Sequence, residues 1–132
     1  IEAVLRERFP QAEIRRDLVP DEQAAILEAF RRQEGADFIL TTGGTGIGPR
    51  DVTPEATAGW CEKELPGVAE ALRQASLQET PTAMLSRGYA GMRGRTIVVN
   101  FPGSVKAARL CARTLLPVME HALGMLRGEG HG

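Results

Sequence analysis

The sequence contains few of the residues that hold metal ions or disulfides. Its 132 residues include two cysteines, Cys61 and Cys111, which lie far apart and outside any Cys-x-x-Cys pair. This pattern indicates neither a disulfide framework nor a zinc knuckle, and it is typical of reduced cytosolic thiols. The two histidines, His121 and His131, form no His-x-x-x-His motif. A zinc enzyme is therefore not indicated.

A strong net charge and a long apolar run are also missing. Sixteen basic and seventeen acidic residues give a formal net charge of -1, so no overall field attracts the protein to nucleic acid or to an anionic membrane. The sequence has no run of about 18 apolar residues, and its first residues lack the basic and apolar regions of a signal peptide. We therefore expect a soluble, cytoplasmic protein that binds neither nucleic acid nor membranes.

The composition that remains is that of an ordinary globular domain, with 42% hydrophobic and 25% charged residues. Apolar periodicity and turn residues predict an alternation of helices and strands. The predicted helices are 1–9, 20–34, 53–65, 68–77 and 105–126, the last interrupted by Pro117, and the predicted strands are 13–19, 37–41, 82–86 and 96–100. This alternation predicts an α/β three-layer sandwich with a mainly parallel sheet flanked by helices. We expect one domain over residues 1–127 and a flexible tail at 128–132.

A glycine-rich loop directly follows the predicted strand 37–41. At the carboxyl end of a strand, such a loop lets backbone N–H groups approach phosphate oxygens. The loop is not a P-loop, because Pro49-Arg50 stands where Lys-Ser/Thr is required, and it lacks the third glycine of a dinucleotide fingerprint. Two interpretations stay open: a phosphate-binding loop, or a tight turn that needs positive φ.

Two aspartates and several basic residues lie beside the predicted loops. Asp51 precedes Thr53, the predicted N-cap of helix 53–65, and Asp21 lies at the equivalent end of the neighbouring strand. Each carboxylate could bind Mg²⁺ beside a phosphate. Alternatively, its negative charge could stabilise the N-terminus of the adjacent helix through the helix dipole. Ser86 lies outside any Gly-x-Ser-x-Gly motif, which argues against a serine hydrolase. The basic residues that could hold phosphates are Arg50, Arg87, Arg93, Arg95 and Lys106.

Six motifs together resemble the molybdenum-cofactor biosynthesis domain, specifically the MogA-type molybdopterin adenylyltransferases and the G domains of gephyrin and its plant counterpart. They are VPDEQ at 19–23, TTGGTG at 41–46, PRDVTPEAT at 49–57, PTAMLSR at 81–87, AGMRG at 90–94 and NFPGS at 100–104. The resemblance covers nearly the whole chain. Family members usually begin with a strand and a Ser-Asp-containing segment, which nothing before Ile1 supplies, so we expect the domain to be incomplete at its N-terminus.

The resemblance implies an activity and a set of site residues. The activity is the Mg-ATP-dependent adenylylation of molybdopterin, which gives the AMP-activated pterin and pyrophosphate, in a cytoplasmic homotrimer that works with other cofactor-synthesis enzymes. Asp21 and Asp51 would be the catalytic acids and the Mg²⁺ ligands. The residues implied to bind substrate are Thr42, Gly43, Gly44, Thr45, Gly46, Arg50, Ser86, Arg87, Asn100, Pro102, Gly103, Ser104 and Lys106.

Related domains with other functions differ from this sequence in the glycine loop, except for one paralogue type. Molybdenum-inserting relatives usually have Val-Ser in place of Thr45-Gly46, and CinA-type relatives usually have Asp-Asp-Leu in place of residues 50–52, so neither matches this loop. A MoaB-type paralogue has a nearly identical loop and is either catalytic or a pterin-binding scaffold. Residues 65–77 and the segment with Ser86 favour the MogA type. The chain could also be one half of a bifunctional cofactor-synthesis polypeptide.

Overall fold

The computed structural model describes residues 1–128, which form the predicted α/β three-layer fold. A four-stranded sheet separates two layers of helices. The helices are α1 Glu2–Arg8, α2 Gln23–Arg32, α3 Thr53–Trp60, α4 Pro66–Leu77 and α5 Val105–Leu126, with a 3-10 helix at Pro81–Leu85; the strands are β1 Phe38–Thr42, β2 Lys63–Glu64, β3 Ala90–Arg93 and β4 Thr96–Phe101. None of the helices within residues 1–128 combines the length and the apolarity needed to cross a membrane.

The sheet has the strand order β1-β4-β3-β2 and is mixed. β1 runs parallel to β4, whereas β3 runs antiparallel to both β4 and β2. The expectation of a mainly parallel sheet is therefore wrong for the described strands. The reason is the two-residue connection between β3 and β4, in which Gly94 has a φ of +57°, because a connection this short can join only antiparallel neighbours.

Two hydrophobic cores lie on opposite faces of β4. All residues of β4 are buried. Val98 faces α2 and α3, where it packs with Phe30 and Trp60. Val99 and Phe101 belong to the other cluster, which α1, α4 and α5 complete. Because fully burying each large apolar side chain contributes about 1.5–3 kcal/mol, β4 anchors both layers. Its C-terminus, and that of the parallel strand β1, meet at the same edge of the sheet.

Several predicted elements take another form. Residues 13–19 are not a strand but an irregular segment, whose charged side chains form ion pairs such as Arg32–Asp17 at 2.8 Å, while Leu18 is fully exposed. Residues 82–86 lie mostly in the 3-10 helix, because Pro81 lacks an N–H for a sheet and Thr80 caps the turn. Pro117 does not interrupt α5, whose residues on both sides of it, Leu115 and Met119, pack into one core.

The helix starts also differ slightly from the predictions. α2 begins at Gln23, so Asp21 lies outside its first turn. Thr53 is the first residue of α3, and its side chain does not cap the helix. α3 ends at Trp60 rather than at Leu65, because the following residues leave the helix to pair β2 with β3. The tail predicted at 128–132 lies outside the described residues except for Gly128.

Candidate active site

The glycine loop connects β1 to α3 and lies against β4. The Gly43 N–H donates to the carbonyl of Phe101 at 3.0 Å, and Gly43 and Gly44 have φ values of +86° and +69°. A Cβ added at Gly44 would lie 2.2 Å from Thr53 Oγ1. Positive φ and close packing therefore require glycine at this position, so the tight-turn interpretation is correct for Gly43 and Gly44.

The same loop also has unused hydrogen-bond donors. The N–H groups of Gly43 and Gly48 donate within the protein, whereas the N–H groups of residues 44–47 have no hydrogen-bond acceptor among residues 1–128. Successive free N–H groups in a turn of this kind form a concavity that binds anions. The phosphate-binding interpretation is thus compatible with the tight turn.

Asp51 lies against the loop rather than pointing away from it. Its Oδ2 accepts a hydrogen bond from the Gly48 N–H at 2.8 Å. A Cβ at Gly46 or Gly48 would lie 2.9 or 3.0 Å from the same oxygen. The carboxylate therefore stabilises the turn with one oxygen, and its other oxygen has no partner among the described residues.

Arg87 and Glu55 contact the loop from the outside. Arg87 Nε donates to the Gly46 carbonyl at 2.8 Å, Nη2 donates to the Asp51 carbonyl at 2.7 Å, and Nη1 donates to Glu55 Oε2 at 2.5 Å. The Arg87 hydrogen bond lowers the pKa of Glu55 below its usual value. Sequence reasoning missed Glu55, although the residue lies within the PRDVTPEAT motif, since no spacing rule links it to an arginine 32 positions later.

A pocket of about 270 Å³ lies between the loop, α4, the 3-10 helix and the start of α5. Arg73, which sequence reasoning missed, lines it and donates to the Gly88 carbonyl at 2.8 Å. Ser86 Oγ accepts from the Gly88 N–H at 3.3 Å, and no histidine lines the described pocket. Six of the predicted residues line the pocket: Thr45, Gly46, Ser86, Asn100, Pro102 and Ser104.

Apart from Asp21, the predicted residues that do not line the pocket lie close to the glycine loop or to the start of α5. Gly103 backs the glycine loop, since a Cβ on it would lie 3.4 Å from Gly43 Cα. Lys106 forms an exposed ion pair with Glu79 at 3.7 Å. Ser104, which lines the pocket, also caps α5 by accepting from the Ala107 N–H. Arg50 and Thr42 are exposed near the loop, and Arg50 has no ion pair within the described chain.

Asp21 lies apart from these contacts. It is exposed in the segment before α2, and none of its contacts within residues 1–128 joins it to Asp51. Over the described residues there is no cluster of three or more His, Cys, Asp or Glu side chains that could hold a metal.

Asn100, predicted to bind substrate, supports the site from below. It is 4% exposed, and its Oδ1 accepts from the Tyr89 N–H at 3.0 Å. Its Nδ2 donates to Thr41 Oγ1 and Thr57 Oγ1, both at 3.0 Å, and the Thr57 hydroxyl donates to the Thr53 carbonyl at 2.8 Å. The amide therefore joins β1, β4 and α3. Thr57 is a third residue, after Glu55 and Arg73, that sequence reasoning missed.

We expect Thr57→Val to lower the free energy of unfolding by about 1–3 kcal/mol, because it leaves a buried amide hydrogen of Asn100 without its acceptor. Urea denaturation measures the change. Thr114→Val is the matched control, since the Thr114 hydroxyl bonds only to the Leu110 carbonyl of its own helix. Equal stability of the two variants would contradict the role of Thr57 in the network.

Comparison with known proteins identifies the family. The family model described as "Probable molybdopterin binding domain" matches residues 3–121. A solved structure of MogA superposes with a TM-score of 0.87 at 37% identity, covering 95% of this chain and 83% of that one. The MoaB structure from Thermus thermophilus gives a TM-score of 0.82 at 46% identity, covering 96% of this chain and 84% of that one.

Curated relatives agree with this assignment. The protein named molybdopterin adenylyltransferase of Helicobacter pylori is 38% identical over 86% of this chain and 66% of its own length. The protein named molybdenum cofactor biosynthesis bifunctional protein of Chlorobaculum tepidum is 43% identical over 98% of this chain and 43% of its own length. The chain thus spans less than two thirds of the length of these relatives. On the matched residues and the fold, the chain belongs to the molybdopterin-binding domain family of molybdenum cofactor biosynthesis.

Proposed function

We propose that this domain catalyses the Mg-ATP-dependent adenylylation of molybdopterin, with the AMP-activated pterin and pyrophosphate as products. The observation that carries the proposal is the row of free N–H groups at residues 44–47, which borders a pocket of about 270 Å³. A phosphate chain along the loop would accept from these groups, while the pocket would take the second substrate. The relative named molybdopterin adenylyltransferase supports this pair of substrates.

The pocket and the loop divide the two substrates between them. A volume of about 270 Å³ is below the usual 300–1,000 Å³ of sites that enclose a whole drug-sized ligand. We therefore assign the pterin to the pocket and the nucleotide to the loop outside it. Arg50 forms no ion pair among residues 1–128 and is available to the phosphates, whereas the Arg87 guanidinium is already paired with Glu55.

The residues at the loop fit Mg²⁺ held mainly by phosphate oxygens and water. Magnesium at such sites takes one or two protein carboxylates, and Asp51 offers one oxygen that the Gly48 N–H does not use. Asp21 would supply the second carboxylate from the start of α2. When bound, the ion would supply neutralisation of the charge that develops on the phosphates.

Transfer of AMP then depends on what the chain's own groups do. The free N–H groups of the loop would orient the phosphates for attack, and Ser86 would hydrogen-bond the pterin or its phosphate. No histidine lines the described pocket, so no imidazole base is available there to activate Ser86 as a nucleophile. An oxygen of the pterin's phosphate would therefore attack the α-phosphorus of ATP directly. A new P–O bond would form as the bond between the α- and β-phosphates breaks and pyrophosphate leaves.

A second candidate is pterin binding without catalysis, as in a MoaB-type scaffold. It is favoured by the 46% identity to MoaB, which exceeds the identity to MogA.

The relative named a bifunctional protein supports a further proposal, that the chain is one half of a longer polypeptide. We also propose a homotrimer in the cytoplasm that works with other cofactor-synthesis enzymes; the free thiols Cys61 and Cys111 agree with a reducing compartment.

The test is pyrophosphate release by the full-length protein supplied with ATP, Mg²⁺ and molybdopterin. An adenylyltransferase releases pyrophosphate, and it loses this activity when the metal is chelated. Pterin binding without turnover at every Mg²⁺ concentration would instead support the scaffold.

We expect Ser86→Ala to weaken pterin binding by about 0.5–3 kcal/mol, the range from a neutral hydrogen bond to one with a charged group. The Ser86 hydroxyl accepts from the Gly88 N–H and can still donate its own hydrogen to a ligand. Binding and single-turnover kinetics separate affinity from chemistry. A covalent adduct at Ser86 in mass spectrometry, or lost turnover at unchanged affinity, would contradict this role.

A further inference from the structure

We infer that Arg87 and Glu55 are a positioning pair, which holds the glycine loop and Asp51 in the geometry for reaction and does not bind the substrate's phosphates. This inference rests on the proposed function for its effect on turnover. It replaces the expectation that Arg87 contacts substrate, and it assigns a role to Glu55.

Arg87 donates hydrogen bonds to backbone carbonyls at two separate places in the loop. The Arg87 side chain donates to the Gly46 carbonyl on one side and to the Asp51 carbonyl on the other, while its backbone N–H donates to the Thr45 carbonyl at 2.7 Å. Between the Thr45 and Asp51 carbonyls lie the Gly48–Asp51 turn and the free N–H groups of Gly46 and Ile47. A planar guanidinium with donors in a fixed fork can reach separate acceptors at once, whereas a lysine ammonium is a compact point charge.

Glu55 fixes the orientation of that fork. Its Oε2 and Oε1 accept from Nη1 and Nη2 of Arg87 at 2.5 and 3.3 Å, and Glu55 lies in the first turn of α3. A carboxylate is favoured at a helix N-terminus. The guanidinium charge is therefore compensated, and an incoming phosphate would meet the Glu55 carboxylate beside it. Repulsion between these like charges argues against a phosphate-binding role for Arg87.

The effect of the pair is local rather than global. Its side chains are 38% and 48% exposed, and exposed ion pairs add little to overall stability. Its contacts nevertheless hold the loop, which has few other side-chain restraints. Loss of the pair is thus expected to loosen residues 44–52 without unfolding the domain.

The test compares Glu55→Gln and Arg87→Lys with the wild-type full chain. Amide hydrogen exchange of Gly48 and Asp51, whose N–H groups bond within the loop, is expected to accelerate on the order of tenfold in both variants, while the melting temperature falls by less than about 3 °C. Because misplacement by about 1 Å can cost on the order of 10²-fold in rate, kcat should fall at least about tenfold. Glu28→Gln, which breaks the exposed Arg31–Glu28 pair on α2, should leave exchange and kcat unchanged.

Three results would overturn the inference. Unchanged exchange of the Gly48 and Asp51 amides in Glu55→Gln would show that the pair does not hold the loop. Faster exchange with wild-type kcat would show that the position of the loop does not matter for the reaction. A lower KM for ATP in Glu55→Gln would show that Glu55 competes with phosphate for Arg87. A wild-type chain without adenylylation would contradict the proposed function alone, since exchange reports on the pair independently.

Discussion

Replacing Asp51 by Asn is expected to lower the turnover of adenylylation by at least about 10²-fold, because it removes an anionic ligand while keeping the side-chain volume. The amide oxygen of Asn can still accept the Gly48 N–H, which Asp51 Oδ2 accepts at 2.8 Å. The loop should therefore keep its conformation, and the melting temperature should barely change. Steady-state kinetics of pyrophosphate release measure the loss.

Two further variants make this result specific. Asp21→Asn is expected to cause a loss of the same order, because Asp21 is the proposed second carboxylate. Asp37→Asn is the control, since Asp37 is exposed just before β1, at the other end of the strand from the loop. If Asp51→Asn and Asp21→Asn kept wild-type turnover but melted several degrees lower, both carboxylates would be structural and the metal assignment would be wrong.

Replacing Gly44 by Ala is expected to destabilise the fold by about 2–4 kcal/mol. Part of this cost, about 1–2 kcal/mol, comes from the positive φ of +69°, and the rest comes from overpacking against Thr53. Urea denaturation measures the free energy of unfolding. Turnover of the folded fraction should fall as well, because the free N–H groups of the loop follow Gly44 directly.

Controls elsewhere in the chain separate the two causes. Gly94 also has positive φ, but a Cβ there would meet nothing within 4 Å, so Gly94→Ala should show the conformational cost alone. Gly59, inside α3, has neither constraint, and Gly59→Ala should stabilise the protein by about 0.5–1 kcal/mol. In the Gly44→Ala background, the additional change Thr53→Ala should recover part of the stability lost in the single variant. A Gly44→Ala variant as stable as the wild type would contradict the close packing of the loop against α3.

The elements that the sequence predicts well are those whose own residues decide their form. β1 and β4 are short apolar runs between turn residues, and α5 has a long apolar stripe, so each lies within a residue or two of its predicted position. Residues 13–19 resemble a short strand in sequence, but four of the seven are charged, and none of the four strands in residues 1–128 pairs with them. A strand needs a neighbour to complete its hydrogen bonds, and that neighbour is a property of the whole fold.

The same distinction applies to the residues of the candidate site. The loop and the residues after β4 could be placed together because β1 and β4 are parallel and such strands end at one edge of a sheet. Ser86 was implied by the family resemblance alone, since the strand predicted to end there lies mostly in a 3-10 helix. The contacts that orient them could not be predicted. Arg87 reaches Glu55 across 32 residues and Asn100 reaches Thr57 across 43 residues, and no local pattern specifies such pairs. These contacts lead us to propose Arg87 as a positioning residue, whereas the family resemblance implies that it binds substrate.

The most direct test of the proposed function follows the α-phosphorus of ATP. The full-length protein would be mixed with molybdopterin, Mg²⁺ and ATP labelled at the α-phosphate, and the pterin would be recovered and analysed by mass spectrometry. We expect the label on the pterin as a bound AMP group, in an amount equal to the pyrophosphate released, and its absence from the Asp51→Asn reaction. Recovery of unmodified pterin bound to the wild-type protein, with all label still in ATP, would contradict adenylylation and identify a pterin-binding scaffold.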